Sequence, residues 1–283
     1  MELPLQFAAE VQRNVLAALV EDIGGGDLTA LLTPAARRSQ GSVISREAAV
    51  LAGTSWFDAC FRLLDPLAAI RWHARDGDLV AAGQTLCEIV ANTRALLTAE
   101  RAALNFLQLL SATATATRFY VEAVAGTGAC IVDTRKTLPG LRLAQKYAVA
   151  TGGGHNQRIG LFDGILLKEN HIIAAGGIRP ALRAAQQAAA GLPVQIEVET
   201  LQQLQTALDA GARLILLDNF SPQQLRAAVG LAAGRACLEA SGNISLDNVR
   251  EVALTGVERI SIGALTKHVR AVDLSMRFSL ASC

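Results

Sequence analysis

From residue 128 onward the chain keeps one rhythm, and that rhythm limits its fold more than any other feature. Short apolar runs recur as ACIVDTR, GILLKENH, PVQIEVET, ARLILLDNF, ACLEASG and RISIGALT. Each ends in polar residues and is followed by a helical pattern. Their centres lie roughly 20 to 35 residues apart, the length of one βα unit of a parallel sheet. Six such units in succession predict a βα barrel, with an open doubly wound sheet as the alternative. In such a barrel, ligands meet the C-terminal strand ends. The sequence puts Asp133–Lys136, Lys168–Asn170, Glu197 with Glu199, Asp218–Asn219, Ser241–Gly242 and Gly263–Ala264 there.

Ahead of this repeat the pattern differs. Phe7, Val11, Val15 and Leu19 keep a four-residue spacing, so residues 1–30 read as an amphipathic helix and a turn, the helix ended by EDIGGGDLT. Residues 41–90 read as short strands with turns, as in RDGDLVAAGQTLCEIV. Thr98–Ala125 contains neither Gly nor Pro and reads as one long helix. The tail AVDLSMRFSL does not fit another βα unit and is expected to pack back on the N-terminal part. The expected domains are 1–112, with 270–283 packed on it, and 113–269.

The chain of 283 residues is 51% hydrophobic and 18% charged, enough apolar material for a sizeable core. Mean hydropathy is positive, yet no apolar run approaches the roughly 20 residues of a membrane-spanning helix. MELPLQFAAEVQRN has no basic segment leading an apolar core, so no signal peptide is expected. Cys60, Cys87, Cys130, Cys237 and Cys283 are far apart and have no CxxC or Cys/His metal spacing. They read as reduced thiols, mostly buried, in a cytoplasmic protein. A formal net charge of +1 and few aromatics argue against a nucleic-acid face.

Positive charge is nevertheless gathered in one place. Between Asp133 and His171 lie Arg135, Lys136, Arg142, Lys146, Arg158 and Lys168, with two His against three acids and the run Gly152–Gly154. Glycines let a backbone approach a ligand closely, and Arg and Lys hold carboxylate and phosphate. A strongly anionic small molecule is the expected ligand. In QIEVET, side-chain alternation puts Glu197 and Glu199 on one face and Ile196 and Val198 on the other. A barrel strand has no solvent face, so the two carboxylates are expected to point inward. Asp218 ends an apolar run and needs water, a cation or a donor. Ser221 is the better cap for the next helix, which leaves Asp218 free for hydroxyls or a hydrated Mg²⁺. Ser241–Gly242 and Gly263–Ala264 end the last two strands, where backbone N–H groups can seat a phosphate. Lys168 follows GILL and reads as a cation for an anionic ligand, a Schiff-base nucleophile or a rim partner of Glu169. Arg101, Asn105 and Gln108 form a polar stripe at helical spacing, either a helix–helix network or a reach by Arg101 into a site, including a partner subunit's. No Ser-His-Asp set, HExxH, P-loop or GxGxxG is present. The set of charges suits electrostatic stabilisation of a charged transfer reaction better than covalent catalysis.

EDIGGGDLT, ERAALNFLQLLS, DTRKTLPGLR, KYAVATGGGHNQRIGLFDGILLKENH, IEVET, LLDNF, LEASGNIS and SIGALTKH together resemble the quinolinate phosphoribosyltransferase family, also called nicotinate-nucleotide pyrophosphorylase (carboxylating). The resemblance runs from about Asp22 to the C-terminus and implies an N-terminal α/β sandwich domain plus an open or incomplete βα barrel. It implies phosphoribosyl transfer from 5-phosphoribosyl 1-diphosphate (PRPP) to quinolinate with loss of CO₂, and a need for Mg²⁺. It also implies a homodimer or larger assembly in which Arg101 enters the partner's site. Arg135 and Arg158, with Arg101, are then expected on the quinolinate carboxylates, and Lys136 and Lys168 also on the diphosphate. Glu197 and Asp218 are expected on the ribose hydroxyls and Mg²⁺, directly or through water. Ser241, Gly242, Gly263 and Ala264 are expected on the 5′-phosphate. The catalytic group is expected to be Lys136, Lys168, Glu197 and Asp218. Two positions depart from the pattern. Gln157 stands where relatives often have His, and Lys267, followed by His268, stands where some have His; Lys267 can still bind phosphate. Rival readings are a paralogous phosphoribosyltransferase with another acceptor, a Schiff-base aldolase using Lys168, and a non-catalytic carrier suggested by RDGDLVAAGQ.

Overall fold

The computed structural model describes residues 5–189 and 191–280, the side chains of residues 5, 6 and 280 excepted. The first residues of the expected N-terminal helix, the end of the tail and Cys283 lie outside the described residues. The N-terminal stretch runs α1 (Leu5–Ile23), β1 (Arg38–Ser45), β2 (Ala49–Val50), α2 (Thr54–Leu64), β3 (Ala69–Trp72), β4 (Leu79–Val80), β5 (Thr85–Asn92) and α3 (Thr93–Ala123). Next come β6 (Cys130–Val132), α4 (Arg142–Thr151), β7 (Ile165–Leu167), α5 (Glu169–Ala174), α6 (Ile178–Ala188), β8 (Val194–Val198) and α7 (Leu201–Asp209). The remainder is β9 (Leu214–Asp218), α8 (Pro222–Ala232), β10 (Cys237–Ser241), α9 (Val249–Ala253), β11 (Arg259–Ser261), α10 (Ala264–Lys267) and β12 (Leu274–Leu280). Among the described residues no helix is long and apolar enough to cross a membrane.

The chain divides into two compact units, the first made of Met1–Ala116, Leu138–Gly153 and His268–Cys283. Its main sheet is antiparallel in the order β12-β1-β5-β3. The C-terminal tail supplies β12, with Met276 opposite Val43 of β1. Within residues 41–90 the sequence reading expected only strands and turns, but Thr54–Leu64 is helical. The reason is visible in its apolar spacing: Trp56, Phe57, Cys60 and Phe61 share one helix face and are wholly buried. Burying each such large side chain is worth roughly 1.5–3 kcal/mol. The free amides that open α2 have a partner, since Gly53 N and Thr54 N donate to the Asp76 carboxylate at 3.0 and 3.2 Å. Helix α3 starts earlier than expected because Asn92 Oδ1 accepts from Arg94 N at 2.9 Å, a local cap.

A sequence boundary at 112/113 assigns Leu138–Gly153 to the barrel, whereas this segment clusters with the first unit. Its anchors are specific. Arg13 and Asn14 of α1 donate to Gly140 O at 2.8 and 3.2 Å. Tyr147 of α4 donates to Asp76 Oδ2 at 2.6 Å, and its ring lies 5.4 Å from that of Trp56.

The second unit comprises Thr117–Thr137 and Gly154–Lys267. Its sheet has the order β6-β11-β10-β9-β8-β7, and every pairing is parallel. From β7 to β11 each strand neighbours the next in sequence, and β6 closes onto β11. A doubly wound sheet would reverse direction at a switch point; this order is that of a βα barrel left open between β6 and β7. On the open edge of β6, His155 forms a parallel bridge with Val132, its N donating to Ile131 O at 2.8 Å.

Candidate active site

At the C-terminal strand ends of the second unit, a cavity of about 320 Å³ is lined from six strands, four of which supply charged groups. Thr134, Arg135 and Lys136 come from the turn after β6, Lys168 from the end of β7, Glu197 from β8, Asp218 from β9 and Ser241 from β10. Gln157 and Arg158 enter from the segment beside β6, and Ser261 from β11. Seven residues expected from sequence therefore meet: Arg135, Lys136, Arg158, Lys168, Glu197, Asp218 and Ser241.

Local structure fixes Lys136, Lys168 and Arg158. Lys136 is fixed through its backbone: its N donates to Thr134 Oγ1 at 3.1 Å and its O accepts from Thr266 Oγ1 at 2.7 Å. Gly263 sits against it, since a Cβ there would come within 3.0 Å of Lys136 Cδ. Lys168 precedes α5, and its backbone N donates to His171 Nδ1 at 3.1 Å, so His171 caps a helix. The Lys168 ammonium does not pair with Glu169 as one reading of the sequence had it; its Nζ lies 2.9 Å from Glu197 Oε2. Arg158 donates to Gly164 O at 3.0 Å, and its turn is closed by Asp163, which accepts from Ile159 N and Gly160 N.

The electrostatics follow from burial and neighbours. Burial, and then the charge of Arg135, pushes the Arg158 pKa below its ordinary range, with Asp163 opposing; it remains a cation. Burial, and then the charge of Glu197, raises the Asp218 pKa, opposed by Lys168, Lys136 and the Ser241 hydroxyl. Two carboxylates close enough to couple thus face four cations in one concavity. Among the described residues, no group of three or more His, Cys, Asp or Glu is placed to hold a metal ion by itself.

Several expectations resolve differently. Strand β8 ends at Val198, so Glu199 is exposed beyond it, and the other inward side chain on the Glu197 face is Gln195. Gly242, Gly263, Ala264 and Lys267 are not among the cavity-lining residues, and Lys267 is exposed. Gly242 instead adopts φ +97°, and any Cβ there would collide with Asn219. Arg101 is exposed on α3 in the first unit and shares a separate cavity of about 190 Å³ with Asn105, Glu21 and Asp22; Gln108 is not part of it. The sequence reading missed the polar layer beneath the site. Gln195, Glu239 and Arg259 each stand two residues before a cavity residue (Glu197, Ser241 and Ser261), and strand alternation is the signal that could have found them.

A family model for the quinolinate phosphoribosyl transferase C-terminal domain matches residues 113–277, and one for the N-terminal domain matches residues 27–111. The chain belongs to the quinolinate phosphoribosyltransferase family. A relative from Mycobacterium leprae, nicotinate-nucleotide pyrophosphorylase (carboxylating), is 44% identical over 93% of this chain and 95% of its own. A Bacillus subtilis relative, named as the probable enzyme of the same kind, is 40% identical over 93% of this chain and 91% of its own. The solved nicotinate-nucleotide pyrophosphorylase of Francisella tularensis superposes with a TM-score of 0.94 at 43% identity, covering 98% of each chain.

Proposed function

We propose that this chain transfers the phosphoribosyl group of PRPP to the ring nitrogen of quinolinate, releasing diphosphate and CO₂ and giving nicotinate mononucleotide for NAD biosynthesis. It is a decarboxylating pentosyltransferase. The observation that carries this reading is the meeting of Arg135, Lys136, Arg158 and Lys168 with Glu197 and Asp218 in one cavity. Both substrates are anionic, one a pyridine dicarboxylate and the other a sugar with a phosphate and a diphosphate. A cavity with four cations against two carboxylates suits both.

Arg135 and Arg158 are assigned to the quinolinate carboxylates, and Lys136 and Lys168 to the diphosphate as well. As the C1–O bond to diphosphate breaks, positive charge grows on the ribose. Glu197 and Asp218 face that charge and take the ribose hydroxyls. The pyridine nitrogen attacks C1 and becomes quaternary. The C2–carboxylate bond then breaks; its electron pair is stabilised by the cationic ring, and C2 takes a proton. Ser241, with Gly242, Gly263 and Ala264, is assigned to the 5′-phosphate, and Lys267 to the same negative charge.

Magnesium fits this donor set. Mg²⁺ is held by one or two carboxylates plus substrate phosphates rather than by a full cage of side chains, and Glu197 and Asp218 are two coupled carboxylates on one cavity. When bound, it supplies charge neutralisation for the leaving diphosphate. The assembly is proposed to be a homodimer in which the exposed Arg101 serves the partner's quinolinate site.

The test is direct. Purified protein is incubated with quinolinate, PRPP and Mg²⁺, with nicotinate as a parallel acceptor, and nicotinate mononucleotide and CO₂ are measured. Equal amounts of both products from quinolinate, and none from nicotinate, support the reading. Turnover of nicotinate alone would assign the chain to another acceptor.

A further inference from the structure

Beneath the active-site cavity the barrel interior holds a closed ring of hydrogen bonds. Gln157 Nε2 donates to Gln195 Oε1 at 3.0 Å and to Glu239 Oε1 at 3.1 Å, and Gln195 Nε2 donates to Glu239 Oε2 at 3.1 Å. Glu239 has no exposed surface, and Gln195 is 4% exposed. Arg259 Nε lies 3.1 Å from Glu239 Oε2 and supplies the counter-charge that a buried carboxylate needs. The ring fixes its own orientation. A carboxylate only accepts, so both amides must turn their NH₂ groups toward Glu239, which leaves the Gln195 oxygen facing Gln157. Both amide hydrogens of Gln157 are thereby engaged inside the barrel. Although Gln157 lines the active-site cavity, it has no N–H left to donate to a substrate carboxylate.

The main chain of Gln157 is held as firmly. Its N donates to Asp133 Oδ1 at 2.8 Å, and the neighbouring Asn156 Nδ2 donates to Asp133 Oδ2 at 2.7 Å. The next residue is Arg158, which lines the active-site cavity on one side and a second cavity of about 350 Å³, shared with Gln195 and Arg259, on the other. Gly164 O accepts from its guanidinium at 3.0 Å and holds the far end of the side chain, while Gln157 holds the backbone from which the side chain starts.

We infer that Glu239, acting with Gln195 through Gln157, is a positioning residue that holds Arg158 in register for quinolinate. This rests on the assignment of Arg158 to a quinolinate carboxylate. Gln195 and Glu239 are not among the residues lining the active-site cavity, so their effect on substrate runs through Gln157.

The experiment uses the whole chain with Gln195→Leu, Glu239→Gln, Gln157→Leu, Gln157→Leu combined with Gln195→Leu, and Arg158→Ala, reading KM for each substrate, kcat and thermal midpoint. Gln195→Leu leaves the Glu239–Arg259 pair intact and guards against simple misfolding of the Glu239 variant. The expected result is a KM for quinolinate raised about 10-fold in both ring variants, as when one charged contact drifts out of reach. KM for PRPP and kcat should stay within about two-fold, because the PRPP-facing end of β10 is untouched. Adding Gln195→Leu to Gln157→Leu should raise the quinolinate KM no further than Gln157→Leu alone, the mark of one shared route. An unchanged quinolinate KM in both ring variants, with a raised one in Arg158→Ala, overturns the positioning role and leaves the site assignment standing. Parallel rises in both KM values with a lowered thermal midpoint also overturn it, since that is general loosening of β8 and β10. An unchanged quinolinate KM in Arg158→Ala removes the site assignment itself, and the inference with it.

Discussion

Arg158 sits where burial and the like charge of Arg135 both work against it. A cation held in such surroundings is relieved when an anion arrives, so it favours ligand more than it favours the empty fold. Arg158→Ala is therefore expected to raise the quinolinate KM roughly 10- to 150-fold, the range for losing a charged hydrogen bond. The thermal midpoint should change little, because relief from burial and from the Arg135 charge is offset by loss of the bond to Gly164 O. Steady-state kinetics and a melting curve check both halves; unchanged kinetics would remove Arg158 from the site. Asp218 is the mirror case, an acid whose pKa is raised by burial and then by Glu197. It takes a proton more readily in the folded chain than in the unfolded one. Its ionised form thus withdraws stability at neutral pH, and that cost is relieved as pH falls through the folded pKa. If ionised Asp218 is needed for the ribose or Mg²⁺, the acid limb of kcat/KM for PRPP lies above the usual carboxylate range. Glu197→Gln removes the like charge and should move that limb to lower pH. A limb that does not move would mean that another group sets it.

Strand β10 and the turn after it show how an element presents such residues. Gly242 leaves the strand at φ +97°, with Asn219 so close that a Cβ would stand 3.0 Å from its backbone N and closer still to its side chain. Asn219 is itself left-handed at φ 57° and donates its N to Ser241 O at 2.8 Å, so the turns after β9 and β10 lock together. Gly242→Ala is expected to cost on the order of 1–3 kcal/mol and to raise KM for PRPP while leaving KM for quinolinate nearly unchanged. Chemical denaturation and kinetics would show it, and an unaffected PRPP KM would detach this turn from phosphate binding. Much of this was legible in the chain. Apolar runs that end in polar residues marked the strand ends, and pleat alternation turned Glu197 inward. Alternation fails at Glu199 because β8 has already ended at Val198. The ring beneath the site was hidden for another reason. Alternation can turn Gln195 and Glu239 inward, but Gln157 meets them across 38 and 82 residues, and no local pattern encodes that pairing. Helix α2 departs from the expected strands because its apolar face, Trp56 to Phe61, stands among short strands and turns that mask its helical spacing.

For the molecule as a whole, the proposed chemistry draws on both units. The cavity with Lys168, Glu197 and Asp218 belongs to the second unit, whereas Arg101 stands exposed on α3 in the first, beside Glu21 and Asp22. If Arg101 serves the partner subunit, Arg101→Ala and Lys168→Ala break different halves of a shared site. Each homodimer should then be nearly inactive. Random exchange of equal amounts makes about half of the dimers mixed, and two-fold symmetry gives each mixed dimer one intact site and one doubly broken site. The mixture is thus expected to recover roughly one quarter of wild-type activity, measured as nicotinate mononucleotide formed after the subunits are dissociated and reassociated together. A protein in which Arg101 serves its own chain's site cannot do this, because every chain in the mixture then carries a defect in its own site. No recovery, with mixed dimers verified by differential tagging, would confine Arg101 to its own subunit. Recovery near one quarter would mean that the catalytic unit is the dimer and that a single chain cannot bind quinolinate fully.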